Sequence, residues 1–179
     1  YERHGEGPPL LLLNGIMMST ASWAPFVAPF TRDGHSLLLV DLMDQGQSDA
    51  WDREYTMADQ ANMLAALLDS LHLPTVSVLG TSYGGALALQ FASTWPQRVD
   101  RLLLAATRAY TDPLFAGMCE SWLHAVHSPQ AYYTATIPLF YGATFQQTHT
   151  EWMNERRRVL EATAFADAGF LARMSRLTR

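Results

Sequence analysis

Gly80-Thr81-Ser82-Tyr83-Gly84 sets a serine in the pattern G-x-S-x-G where an apolar run, Val76 to Leu79, gives way to a helical pattern. On so tight a strand-to-helix turn the neighbours of the serine must be small, because bulky side chains would clash, and the hydroxyl stands clear of the sheet. The chemistry would be nucleophilic. The Ser82 oxygen would attack an electrophilic carbon, and the Tyr83 N–H, at the N-terminus of the following helix, would face the negative charge that develops. A serine hydroxyl is almost entirely protonated at neutral pH, so the same chemistry also demands a base. The competing reading is a Gly/Ser turn with no chemistry at all.

Four short apolar runs could form the platform for such a turn: Leu10 to Leu13, Leu37 to Val40, Val76 to Leu79 and Leu102 to Leu104. Each ends close to Asn, Asp, Gly or Thr, and helical patterns separate them, which predicts a doubly wound, mostly parallel α/β sheet covered on both faces. One helix is expected to start at Thr56, with Asp59 completing a capping box, to bury Leu64, Leu67, Leu68 and Leu71, and to stop before Pro74. A second is expected from about Tyr83 to Ser93, ended by Pro96. The texture changes near Thr111. Pro113 and Pro129 follow Asp112 and Ser128 as prolines do at helix starts, so three or four helices are expected there. This divides the chain into residues 1–110, a sheet-bearing core, and residues 111–179, a helical region rich in aromatics (Phe115, Trp122, Tyr132, Tyr133, Phe140, Tyr141, Phe145, Trp152). Such a cluster reads first as packing; over a reactive centre, Trp122, Tyr133 and Phe140 become candidate substrate-pocket residues.

With Ser82 and its setting in view, the sequence resembles the α/β-hydrolase family, and three further segments carry the likeness. Leu11-Leu12-Leu13-Asn14-Gly15-Ile16 is similar to that family's strand and oxyanion loop, His-Gly-x, with Asn14 in place of the histidine. Trp23 falls where relatives often carry a tryptophan. Asp41-Leu42-Met43-Asp44-Gln45-Gly46-Gln47-Ser48 is similar to the family's Asp-x-Arg-Gly-x-Gly-x-Ser turn, with Met43 and Asp44 replacing Arg and Gly. The resemblance spans Pro8 to about Tyr110 and puts the rest in the position of the family's helical cap, which would close over the strand ends. It implies Ser82 as nucleophile, Gly80 and Gly84 as elbow glycines, and the backbone N–H groups of Ile16 and Tyr83 as oxyanion donors. It further implies a serine hydrolase cleaving an ester, thioester or related acyl substrate without cofactor or metal; the lone Cys119 separately favours a cytoplasmic setting. The family also includes carbon–carbon bond hydrolases, haloperoxidases and acyltransferases, and a catalytically silent ligand-binding protein could keep the same elbow.

Relatives order their triad serine, acid, histidine, the last two after later strands. Downstream of Ser82 this chain offers only His124, His127 and His149, all in stretches that read as helix, and Asp112 as a candidate acid that serves equally as a helix cap. The expectation is that the base and the terminal strands lie beyond Arg179. The strand Arg101 to Ala105 would then need an edge partner, from those strands or from a second copy in a homodimer.

Composition narrows the remaining classes. The 179 residues are 49% hydrophobic with a formal net charge of −5, ample for one packed core. All 12 basic residues are arginine. With no lysine there is neither a P-loop lysine nor a Schiff base. The mild acidity and a basic run no longer than Arg156-Arg157-Arg158 speak against a nucleic-acid partner. No apolar run reaches the roughly 18 residues of a membrane helix. Cys119, alone, cannot build an internal disulfide framework, which favours a reducing compartment.

Overall fold

A computed structural model describes residues 1–163 and 173. Helices expected to run on to residue 179 fall partly outside them. The chain divides into two compact units, Tyr1–Tyr110 and Thr111–Arg179.

The first unit holds a five-stranded sheet in the order β1-β3-β2-β4-β5. Its strands are β1 (Glu2–His4), β2 (Pro9–Leu13), β3 (Ser36–Val40), β4 (Val76–Thr81) and β5 (Val99–Ala105). The last four pair in parallel, as the separated apolar runs predicted. β1 pairs antiparallel with β3 and is an addition to the sequence reading, since its three polar residues carry no apolar signal. Three helices join the strands: α1 (Ala24–Arg32), α2 (Met57–Ser70) and α3 (Tyr83–Thr94). α1 was not singled out from the sequence because Pro25 and Pro29 both fall within it. Pro25 lies in the first turn, where proline is tolerated, and Pro29, inside the helix, sacrifices one ladder bond. α2 begins as expected, with Thr56 and Asp59 exchanging side-chain and backbone hydrogen bonds.

Both faces of β2 and β3 are covered, whereas β5 departs from the expected two-sided burial, with Asp100 to Ala105 exposed. Leu11, Leu13, Leu38, Val40, Val76 and Val78 pack with Leu64, Leu68, Leu87 and Phe91 of α2 and α3. Leu10, Leu12, Leu37 and Leu39 pack on the other side with Trp23, Val27 and Phe30. This is why β2 and β3 read as unbroken leucine runs: a central parallel strand has no solvent face to alternate with. Each such leucine contributes about 2 kcal/mol through burial.

The second unit consists, among the described residues, of α4 (Pro113–Ala125), α5 (Pro129–Phe140), α6 (Ala143–Thr148) and α7 (Thr150–Thr163). Asp112 and Ser128 cap α4 and α5 by accepting from the N–H groups of Phe115 and Ala131, with proline first in each helix. Tyr133, Ile137 and Met153 form one buried cluster of this unit, and Trp122, Val126 and Tyr132 are buried as well.

Candidate active site

Parallel pairing aligns Leu13 of β2 with Val40 of β3 and with Gly80 of β4, so three strands end side by side. The segments leaving those ends are Asn14-Gly15-Ile16, the 41–48 loop and Thr81-Ser82. All three similar motifs therefore meet at the carboxyl edge of the sheet, where open α/β folds bind ligands.

Ser82 sits between β4 and α3 with φ 51° and ψ −114°, a left-handed backbone that costs a residue with a side chain energy. The surroundings hold it there. Its N–H donates to the Ala105 carbonyl at 2.9 Å, and its carbonyl accepts from Thr107 Oγ1 at 2.8 Å. The glycines permit the turn. A Cβ on Gly80 would lie 2.5 Å from the Gly84 carbonyl oxygen, and one on Gly84 would lie 2.3 Å from the Leu13 carbonyl oxygen. Gly85, which the five-letter motif leaves out, is equally constrained: its Cβ would meet the Thr107 side chain at 2.5 Å. The first helical bonds of α3 run from the N–H groups of Gly85 and Ala86 to the Ser82 carbonyl. The N–H groups of Tyr83 and Gly84 thus stay outside the ladder, at the positive end of the helix.

The loop after β2 lies against the serine. An ideal Cβ on Gly15 would be 3.7 Å from Ser82 Cβ and 2.9 Å from Met18 Sδ, so a larger residue would be pressed toward Ser82. The Met18 N–H closes the turn onto the Gly15 carbonyl at 3.2 Å, with Met17 at φ 62°. Ile16 lies within this turn. Asn14 is fully buried and acts as a bracket: its amide donates to the Val40 carbonyl at 3.0 Å and its oxygen accepts from the Trp23 indole. The asparagine and the spaced tryptophan, two separate features in the sequence, are one interaction that ties the loop to β3.

In the 41–48 loop the buried Asp41 carboxylate accepts from the N–H groups of Thr20 at 2.7 Å and Gln47 at 2.9 Å. Gly46 is required because a Cβ there would fall 2.2 Å from the Asp41 carboxyl carbon. Asp44, where the family pattern has glycine, adopts φ 63° and accepts from the Trp51 N–H at 2.8 Å. An aspartate tolerates this conformation better than most residues, so the turn survives the replacement.

Tyr83 packs against the α2/α3 core, and its hydroxyl accepts from Gln60 Nε2 at 2.6 Å. Burial pushes its phenol up to about 12, against the hydrogen bond from Gln60, while the nearby Asp44 charge adds to the rise. The Gln60 contact was not foreseen; a lone glutamine on the apolar face of α2 is the signal that could have revealed it.

Ser82 Oγ has no hydrogen-bond partner among the described residues. In its own unit, His4 pairs with Glu2 at 3.1 Å, and His35 and His72 are exposed. In the helical unit, exposed His124 lies 3.7 Å from Glu120, and His127 is exposed. His149 stacks on Phe145 with ring centres 4.2 Å apart. Asp112 is occupied as the cap of α4. Among the pocket candidates, Tyr133 is buried and donates to the Met153 carbonyl at 3.1 Å. Trp122 is buried with its ring 5.6 Å from that of Phe140, which is half exposed. No cluster of three or more His, Cys, Asp or Glu among the described residues is arranged to hold a metal ion, and no described helix is long and apolar enough to cross a membrane.

Comparison with known proteins agrees with this geometry. The sequence profile described as the alpha/beta hydrolase fold matches residues 8–168. The solved structure of MGS-M2, an alpha/beta hydrolase enzyme from a Medee basin deep-sea metagenome library, superposes with a TM-score of 0.93 at 37% identity. That match covers 99% of this chain and 66% of the other. A poly(3-hydroxyalkanoate) depolymerase of Ectopseudomonas oleovorans is 33% identical over 144 residues, which is 78% of this chain and 50% of the relative. A haloalkane dehalogenase of Agrobacterium fabrum is 38% identical over 96 residues, 54% of this chain and 31% of the relative. The chain therefore spans half or less of the length of these two curated relatives. With the elbow, the oxyanion-like loop and the parallel sheet all in register, the chain belongs to the α/β-hydrolase fold family.

Proposed function

We propose that this protein is a serine hydrolase that cleaves a carboxylic ester, thioester or related acyl compound through an acyl-enzyme on Ser82. The observation that carries the reading is the strained Ser82 backbone at the mouth of α3, over-determined by Ala105, Thr107 and three glycines. Strain held so firmly at one residue is what a positioned nucleophile requires and what a plain turn has no use for. In the reaction, Ser82 Oγ attacks the acyl carbon while its proton passes to a base. The carbonyl oxygen becomes an oxyanion facing the N–H groups of Ile16 and Tyr83, worth about 10²-fold or more each in rate. Collapse expels the protonated leaving group, and water then hydrolyses the acyl-serine. A likeness to a relative named as a depolymerase of a poly(3-hydroxyalkanoate) supports an acyl substrate; a likeness to one named as a haloalkane dehalogenase marks the breadth of the fold's chemistry.

The test is covalent labelling of the full-length protein with a fluorophosphonate probe. Mass spectrometry is expected to place the phosphonyl group on Ser82, and Ser82→Ala to abolish it. Full labelling of the alanine variant would refute the assignment. Stoichiometric ester binding without turnover or labelling would instead identify a silent binding protein.

A further inference from the structure

We propose that Gln60 is a positioning residue for the oxyanion donor: by holding the Tyr83 hydroxyl, it fixes the orientation of the Tyr83 N–H beside Ser82. The inference rests on the assignment of Ser82 and Tyr83 given above and goes beyond it, because Gln60 lies on another helix and reaches the site only through the tyrosine.

The buried face of α2 consists of Gln60, Ala61, Leu64, Ala65 and Leu68. Gln60 alone among them is polar, and it is 3% exposed. An amide there gives up its hydration, and only part of that loss is recovered. Nε2 donates to Tyr83 Oη at 2.6 Å. Oε1 is buried with no hydrogen-bond partner among the described residues, and the residue borders a cavity of about 290 Å³ together with Val40, Leu64 and Leu87. A leucine of similar volume would complete the apolar face with neither cost, so core stability does not explain the glutamine. What the amide does achieve is a tie from α2 to the residue that follows the nucleophile.

The tie acts where it has mechanical value. Tyr83 opens α3 directly after the strained Ser82, and a strained backbone persists only when its surroundings over-determine it. The tyrosine ring is gripped by the α2/α3 core and its far end by Gln60, so main-chain rotation at Ser82-Tyr83 is opposed along the whole length of the side chain. Gln60 is itself well anchored. Its N–H donates to the Thr56 carbonyl at 3.2 Å, next to the Thr56–Asp59 capping box that fixes the start of α2.

The experiment compares Gln60→Leu, Tyr83→Phe, their double variant and Gln60→Glu in the full-length protein, reading kcat and KM on 4-nitrophenyl butyrate, fluorophosphonate labelling rate and thermal midpoint. Gln60→Leu is expected to keep or raise the midpoint, leave KM within about twofold and lower kcat about tenfold, because misaiming a donor weakens binding of the transition state alone. Tyr83→Phe is expected to match it, and the double variant to lose no more than either single one. Gln60→Glu is expected to recover most of kcat, since its carboxylate can accept from the Tyr83 hydroxyl. Wild-type kcat in Gln60→Leu would overturn the inference, as would losses that multiply in the double variant. Should Gln60→Leu fail to fold, an unchanged kcat in Tyr83→Phe overturns it just as well. Absence of wild-type labelling at Ser82 would remove the functional reading and this inference with it, whereas labelling that proceeds alike in all variants removes this inference alone.

Discussion

At the scale of single residues, the site is built from positions where the backbone leaves no room for anything else. Gly84 is the sharpest case, because an added Cβ would overlap the carbonyl oxygens of Leu13 at 2.3 Å and Asn14 at 2.5 Å. Both are main-chain atoms at the end of β2 and cannot turn aside. Gly84→Ala is therefore expected to cost about 3 kcal/mol or more in urea unfolding and to move the helix off the strand end, with loss of phosphonate labelling. The asparagine bracket works by a different means. Asn14 satisfies both halves of its amide, one toward Val40 and one toward Trp23, where no water reaches. The pairing shows why a histidine-like position can hold an amide without disturbing the loop: what the loop needs is a buried donor and acceptor at fixed separation, not an imidazole.

At the scale of elements, α2 is placed by its first turn. α2 has the most explicit start, with Thr56 Oγ1 accepting from the Asp59 N–H at 3.1 Å and the Asp59 carboxylate accepting from the Thr56 N–H at 2.7 Å. Hydrogen bonds from the Thr56 side chain and backbone hold the Asp59 carboxyl below its ordinary value of 3.8. Because the folded value is the lower one, the stabilisation is fully present above the unfolded value and is lost as pH falls through the folded value. Acid titration of the wild type is thus expected to show a decline below about pH 4 that is smaller in Asp59→Asn, followed by circular dichroism. Equal acid profiles would show that the box carries no linked proton. α4 and α5 show only the forward half of this arrangement, Asp112 and Ser128 accepting from the N–H groups of Phe115 and Ala131, which identifies Asp112 as a cap in this fold.

At the scale of the whole molecule, the sheet is lopsided in its protection. β2 and β3 are buried, whereas β5 pairs with β4 on one side and has no strand on its other side among the described residues. Leu102, Leu103 and Leu104 are 36%, 46% and 44% exposed on it. The stretch Leu102–Leu104, which follows the charged Asp100 and Arg101 on the same strand, is uncharged and apolar, and such a stretch at an edge is a template for pairing. Residues 1–179 produced as a separate polypeptide are expected to self-associate, and Leu103→Lys to shift the population toward monomer in light scattering coupled to gel filtration. A monodisperse monomer without the lysine would show that the edge is shielded by other means.

How much of this could be read from the chain alone follows from the range of the forces involved. β2 and β3 were legible because a strand buried on both faces must be apolar at every position, as Leu10 to Leu13 and Leu37 to Val40 are. Helix starts were legible because capping is local: Thr56 with Asp59, Asp112 with Pro113. Ser82 stood out because the elbow constrains immediate neighbours in the sequence. β1 and α1 were hidden, the first because an edge strand of three polar residues is stabilised only by its partner β3, the second because two prolines mask a helix that packing tolerates. The Asn14–Trp23 bracket, the seat of Gly85 against Thr107 and the Gln60–Tyr83 bond join residues between 9 and 23 positions apart. Nothing in local spacing specifies such pairs. They exist only because parallel register brings the ends of β2, β3, β4 and β5 to one edge, and that alignment is a property of the folded sheet.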